Sequence, residues 1–214
     1  MPPIKRQAWL ITNHAPSQIV SGYENITGEI IAVDKGLEWV HRLNLSPALI
    51  IGDLDSLDPK ILALYPDTPL IRHKSEKNET DTELAITWCI AQGYSKIVVC
   101  NDMQGRFDHS AAIIQNLIMG HREGIDISIE SEMQSCFFLG SETTISSKKG
   151  DLLSLISYSE TSHFISSTAL QYPLTDLTLQ QHQSRGISNV LLADKCLIKL
   201  KSGLVLAIVT KVQA

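Results

Sequence analysis

Short β-branched apolar runs recur along the first two thirds of the chain, and between them the apolar positions switch to helical spacing. Strands are predicted over residues 8–12, 29–33, 48–51, 70–73, 96–100 and 125–130, and helices over about 37–43, 80–92 and 110–120. The second helix is the best marked. Leu84, Ala85, Trp88 and Cys89 share one face, Gly93 lies just past the end, and Thr80 with Glu83 forms a capping box at the start. Alternation of this kind predicts an α/β domain with a mainly parallel sheet.

From about Cys136 the pattern changes. Short strand-like runs follow one another at 136–139, 152–156, 177–180, 196–200 and 204–209, punctuated by Gly140, Gly150, Pro173, Gly186 and Gly203, with no amphipathic helix among them. This predicts a C-terminal all-β sandwich domain. The boundary falls within 131–140, giving domains of 1–135 and 136–214, and 214 residues are enough for two modest cores.

Charge and cysteine usage narrow the function classes. The net charge is −5 and the basic residues form no run longer than the pair Lys148-Lys149, which argues against nucleic-acid binding. Cys89, Cys100, Cys136 and Cys196 are scattered, without the close pairing of a zinc or redox motif, and read as reduced thiols. Residues 1–6 are too short for a targeting signal and no apolar stretch is long enough to span a bilayer, so a cytoplasmic protein off the membrane is expected.

Three carboxylate-bearing motifs lie where apolar runs end: Gly52-Asp53-Leu54-Asp55-Ser56, Asn78-Glu79-Thr80-Asp81 and Gly105-Arg106-Phe107-Asp108-His109. Ligands of parallel α/β sheets collect at the carboxyl ends of strands. In extended chain Asp53 and Asp55 face the same side, which would let both meet one ion; alternatively Asp55 or Ser56 caps a turn before Pro59. Asp81 opens a helix, where a carboxylate is favoured with or without a ligand. Lys77 is either a phosphate partner or a solvated lysine. Arg106 offers a planar fork for phosphate oxygens, Asp108 an acceptor or a helix cap, and Asp34 ends another strand. Clustered carboxylates beside a guanidinium suit Mg2+ held against a polyphosphate, and so a metal-dependent phosphate-transfer enzyme.

In order and spacing these motifs resemble the thiamine pyrophosphokinase family. The resemblance runs through Ala32-Val33-Asp34, residues 50–56, residues 77–85 and residues 105–109, and continues in Leu170-Gln171-Tyr172-Pro173-Leu174 and Gly186-Ile187-Ser188-Asn189. It implies a catalytic α/β domain that binds ATP and Mg2+, and a sandwich domain that binds thiamine and dimerises. It also implies a homodimer with active sites between subunits, and transfer of pyrophosphate from ATP to the thiamine hydroxyl to give thiamine diphosphate and AMP. By the same resemblance Asp53, Asp55 and Asp81 hold Mg2+, Arg106 and Asp108 contact ATP with Asp34 and Thr80 near its phosphates, and Ser188, Asn189 and Tyr172 lie near thiamine.

The chain departs from the family pattern at four positions. Lys35 and Ala169 stand where glycine is usual, Gln104 replaces the first glycine of Gly-Gly-Arg, and Ile113 stands where asparagine often follows. These bear on the nucleotide loop and on the acceptor. A hydroxymethyl pterin as acceptor, a non-catalytic nucleotide or thiamine sensor, and a Mg2+-dependent phosphohydrolase are the rival readings.

Overall fold

The structure is a computed structural model that describes residues 6–212. Residues 1–5, most of the segment read above for targeting, lie outside the described residues. The chain divides into two compact units, the first ending at Glu132 and the second beginning at Met133.

The first unit runs β1 (Gln7–Ile11), β2 (Glu29–Val33), α1 (Gly36–Arg42), β3 (Leu49–Gly52), α2 (Pro59–Leu62), β4 (Leu70–Arg72), α3 (Asp81–Ala91), β5 (Lys96–Cys100), α4 (Phe107–Arg122) and β6 (Asp126–Glu130). Its strands lie in the order β6-β5-β1-β2-β3-β4, and every pairing is parallel. The near-continuous apolar runs of β1, β2 and β5 follow from this. Strands covered on both faces bury successive residues rather than alternate ones. Trp9, Ile11, Ala32, Leu37, Val40, Ile50 and Val98 share one core, where each large side chain contributes about 1.5–3 kcal/mol by burial.

Local chemistry fixes the helix starts. The Thr80 hydroxyl accepts from the Glu83 N–H at 3.2 Å, as the capping box predicts, and α3 buries Ala85, Ile86 and Cys89. Helix α1 starts at Gly36, where a Cβ would lie 1.9 Å from the Ile11 carbonyl oxygen. Helix α4 begins at Phe107, three residues before its predicted start, so Asp108 and His109 occupy its first turn.

Strand β1 connects onward to β2 on one side, whereas β5 connects to β6 on the other. The crevice between their carboxyl ends is the topological switch point of the sheet. It is stitched shut beneath the surface: the Thr12 hydroxyl donates to the Cys100 carbonyl at 2.8 Å and accepts from Asn101 Nδ2 at 2.8 Å.

The second unit is all β: β7 (Gln134–Phe138), β8 (Glu142–Ser146), β9 (Leu152–Ser157), β10 (Thr161–Ser167), β11 (Thr178–Gln180), β12 (Asn189–Val190), β13 (Lys195–Ser202) and β14 (Val205–Thr210). Two antiparallel arrays, β12-β9-β14-β7 and β11-β10-β13-β8, enclose one core that includes Leu153, Leu155, Phe164, Ile198, Val205 and Ala207. Strict alternation in β9 and β13 places one face of each strand in that core. Strands β8, β10 and β12 have no counterpart among the predicted strands.

Candidate active site

A cleft of about 380 Å3 opens at the carboxyl ends of the parallel strands, and the loops after β1, β2, β3, β4 and β5 all line it. Asp34, Asp53 and Asp81 each turn a carboxylate into it, with one oxygen from each lying within 4.8 Å of the others. Each arrives from a different element: Asp34 directly after β2, Asp53 directly after β3, and Asp81 as the first residue of α3.

Asp34 also shapes the loop beside it. Its oxygens accept from the Leu54 N–H at 3.1 Å and from the Ser56 hydroxyl at 3.0 Å. Leu54 has φ 63° and Asp34 φ 49°, left-handed conformations that cost side-chain-bearing residues about 1–3 kcal/mol each and gather at functional loops. The turn at Leu54 breaks the extended geometry on which the pairing of Asp53 with Asp55 rests. Asp55 is exposed, outside the group of three, and its N–H donates to Asp53 Oδ1 at 3.2 Å. Neither Asp55 nor Ser56 caps the short helix that follows; Asp58 does, accepting from Lys60 N at 2.9 Å.

Lys77 lies between two of the carboxylates. Its ammonium donates to Asp53 Oδ2 at 3.1 Å and to Asp81 Oδ1 at 2.7 Å, and only 13% of the side chain is exposed. Partial burial disfavours the Asp53 anion, but the Asp55 N–H and Lys77 outweigh it and hold this carboxyl below its ordinary value. Asp55 is shifted the other way, chiefly by the negative charge of Asp53, with Asp34 and Asp81 adding to it.

A hard cation with oxygen ligands at about 2.1 Å spans at most about 4.2 Å between two of them. One oxygen from each of the three carboxylates lies within 4.8 Å of the others, and an ammonium already bridges two of them, so the donor set suits a hard cation such as Mg2+.

Arg106, Thr80 and His109 line the same cleft, and so do Asn13, His14 and Asn101. Arg106 forms a bidentate pair with Asp108 at 2.5 and 3.1 Å, in which both side chains are more than half exposed. The Arg106 hydrogen bonds hold the Asp108 carboxyl below its ordinary value. Thr12, His14 and Asn101 line the cleft without belonging to any of the sequence motifs. Their signal was available: each is a polar residue placed at or just after the end of an apolar strand run.

The departures from the family pattern can be placed individually. Lys35 has ordinary right-handed dihedrals (φ −58°), so the backbone there does not require glycine. Gln104 donates to Asp102 at 2.7 Å, and Ile113 is buried in the cleft wall. Ala169, in contrast, has φ 53°.

The second unit carries a cleft of about 320 Å3, lined by Leu155, Leu174, Leu177, Arg185, Tyr172 and Asn189 among others. The Asn189 side chain is buried and committed to the backbone, donating to Tyr172 O at 2.7 Å and accepting from Tyr172 N and Val190 N at 3.0 Å. It acts as a clamp that presents the Tyr172 ring, which is 63% exposed. Ser188 is exposed at φ 58°, and its N–H donates to Ser154 Oγ at 3.0 Å. The Gly186 position is dictated by sterics, since a Cβ there would lie 2.2 Å from the Leu155 carbonyl oxygen.

Comparison with known proteins bears on both clefts. Residues 24–129 match the family profile described as thiamin pyrophosphokinase, catalytic domain, and residues 142–205 match thiamin pyrophosphokinase, vitamin B1 binding domain. The chain is 26% identical over 193 residues to the thiamine pyrophosphokinase of Bacillus subtilis, covering 88% of this chain and 90% of that protein. It is 22% identical to thiamin pyrophosphokinase 1 of Caenorhabditis elegans, covering 96% and 84% respectively. The crystal structure of the Bacillus subtilis enzyme superposes with a TM-score of 0.86 at 22% identity, covering 97% of this chain and all (100%) of that one. That of the Candida albicans enzyme gives 0.79 at 16% identity, covering 97% and 90%. With its two units matched separately, and in order, by the two profiles of one family, the chain belongs to the thiamine pyrophosphokinase family.

Proposed function

We propose that this chain transfers the pyrophosphoryl group of ATP to the hydroxyl of thiamine, forming thiamine diphosphate and AMP. The observation that carries the reading is the convergence of Asp34, Asp53 and Asp81 on one cleft that also holds Lys77 and Arg106. Asp53 and Asp81, with Asp34 beside them and Asp55 at the rim, would hold Mg2+, which when bound neutralises polyphosphate charge and orients the β-phosphoryl group.

The chain's own groups do the rest by positioning. Lys77 and Arg106 offer cationic donors to phosphate oxygens. Arg106 is preorganised as a fork by Asp108, and because that pair is exposed, exchanging the carboxylate for a phosphate costs little. The hydroxyl oxygen attacks the β-phosphorus, the bond from that phosphorus to the α,β-bridging oxygen breaks, and AMP leaves with the bridging oxygen. The hydroxyl proton passes to Asp55 or Asp81. Alignment of the two reactants, rather than a covalent enzyme intermediate, supplies the rate.

Tyr172 is the proposed aromatic face for thiamine, whose cationic ring suits an exposed π surface, and Asn189 holds that face in place. Ser188 borders the same loop. A homodimer is the proposed working form, and the cytoplasm the proposed location. Four free, buried cysteines fit a reducing compartment, and no described helix is long and apolar enough to cross a membrane.

The test is formation of AMP and thiamine diphosphate from Mg-ATP and thiamine, with Asp81→Asn as control. Equal amounts of both products, lost in the variant, are expected. AMP without thiamine diphosphate would point to hydrolysis, and no AMP at all would sink the reading.

A further inference from the structure

We infer that Lys77 is a built-in counter-ion of the carboxylate site, which a divalent cation displaces in order to bind. The inference rests on the metal-binding part of the proposed function. Its ammonium donates to Asp53 Oδ2 at 3.1 Å and to Asp81 Oδ1 at 2.7 Å, and these belong to two of the three carboxylates that converge within 4.8 Å. A hard cation binds through carboxylate lone pairs of the same kind. With 13% of the Lys77 side chain exposed, little of its charge is screened by water.

Two cations cannot share that space. Metal binding is therefore an exchange: two N–H···O contacts break as metal–oxygen contacts form, and the ammonium is released into the cleft. Lys77 is rooted in the loop between β4 and α3, outside the sheet ladder and the helix, and its long side chain reaches other acceptors by rotation about its own bonds. Once released, it faces the part of the cleft that Arg106 and His109 also line, where polyphosphate oxygens become its new acceptors. In the absence of nucleotide Lys77 opposes the metal; with nucleotide present that opposition is relieved. Metal and nucleotide thus bind cooperatively through one side chain.

Removing the charge shifts the balance twice in the same direction. The competitor is gone, and the free state is left with three carboxylates repelling one another. By Coulomb's law a like charge a few ångströms away in a partly buried site is worth about tenfold or more in affinity.

The experiment titrates Mn2+ into the full chain without nucleotide and follows free Mn2+ by electron paramagnetic resonance. Lys77→Met is expected to bind Mn2+ at least about tenfold more tightly than the unaltered protein, and Lys77→Arg, which keeps the charge, within about threefold of it. Equal or weaker binding by Lys77→Met overturns the inference. If Asp53→Asn still abolishes Mn2+ binding in that case, the metal site stands and only the role of Lys77 falls. If neither the unaltered protein nor Lys77→Met binds Mn2+, both fall. Should Lys77→Met not fold, lysine acylation of the unaltered protein decides. Labelling of Lys77 should rise several-fold on adding Mg2+, and unchanged labelling overturns the inference.

Discussion

Gly52 ends β3 at φ 152°, and a Cβ there would lie 2.9 Å from Asp34 Cα, so the two strand ends that carry Asp34 and Asp53 can approach only because this residue has no side chain. Gly52→Ala is expected to destabilise the protein by about 1–3 kcal/mol and to weaken Mn2+ binding, read from urea unfolding and from metal titration. Ala169 is the converse case. It holds φ 53° where the family pattern has glycine, and a left-handed alanine costs about 1–2 kcal/mol. Glycine also gains freedom in the unfolded chain, so Ala169→Gly is expected to stabilise by only about 0.5–1 kcal/mol, seen as a higher urea midpoint with unchanged slope. At this scale the acidic motifs were legible in the sequence but their grouping was not. In the sequence Asp34 ends a strand with its carboxylate free to point into the same crevice, and extended chain would pair Asp53 with Asp55. The approach of the two strand ends at Gly52 groups Asp34 with Asp53, while the positive φ of Leu54 turns the chain that follows, and a buried leucine gives no sequence signal for that. Lys77 was equally ambiguous, because its burial depends on two loops meeting.

Elements were legible where one physical rule dominates. Strands β2 and β5 lie over the predicted residues 29–33 and 96–100, and Thr80 caps α3 as expected, because apolar runs and capping chemistry are local. Strands β8 (Glu-Thr-Thr-Ile-Ser) and β10 (Thr-Ser-His-Phe-Ile-Ser-Ser) are mostly hydroxyl-bearing and were missed; antiparallel partners rather than apolar content make them strands. The start of α4 was missed for another reason: Arg106 gives it no side-chain cap, so Ser110 looked like the first residue. A polar residue also holds the sandwich together. The buried Asp151 carboxylate accepts from the Ser147 hydroxyl, from Lys148 N at 2.9 Å and from Val212 N at 3.0 Å, tying the turn before β9 to the chain leaving β14. Burial disfavours its charge, but these donors prevail and the carboxyl sits below its ordinary value. A depressed folded value means stability that is present above the unfolded pKa of about 3.9 and lost as pH falls through the lower folded one. Asp151→Asn is therefore expected to cost about 1–3 kcal/mol at pH 7. In thermal melts the gap to the unaltered protein should narrow as the pH drops below about 4. A gap that stays constant with pH would show that the charge of Asp151 contributes nothing.

At the scale of the molecule, two units with different core logic carry two clefts of different chemistry. The first is a parallel sheet whose polar cleft gathers carboxylates and cations at a switch point; the second is a sandwich whose cleft is walled by apolar residues such as Leu155, Leu174, Leu177 and Ile187 beside an exposed tyrosine. Parallel sheets concentrate strand ends, and hence charged loops, on one edge, whereas a sandwich offers an apolar surface between alternating strands. If the assignment of substrates follows that chemistry, each substrate should protect its own unit. Hydrogen exchange is the direct measurement, because a ligand slows opening of the amides it stabilises by the factor 1 + [L]/Kd, about 100-fold at 100 Kd. A non-hydrolysable ATP analogue with Mg2+ is expected to slow exchange in residues 34–56 and 77–109, and removing the metal with a chelator should abolish most of that protection. Thiamine is expected to slow residues 170–190, through the Asn189 clamp on Tyr172. Thiamine protection confined to the first unit would overturn the role of the sandwich. Nucleotide protection that survives chelation would mean that Lys77 and Arg106 hold the polyphosphate without a metal.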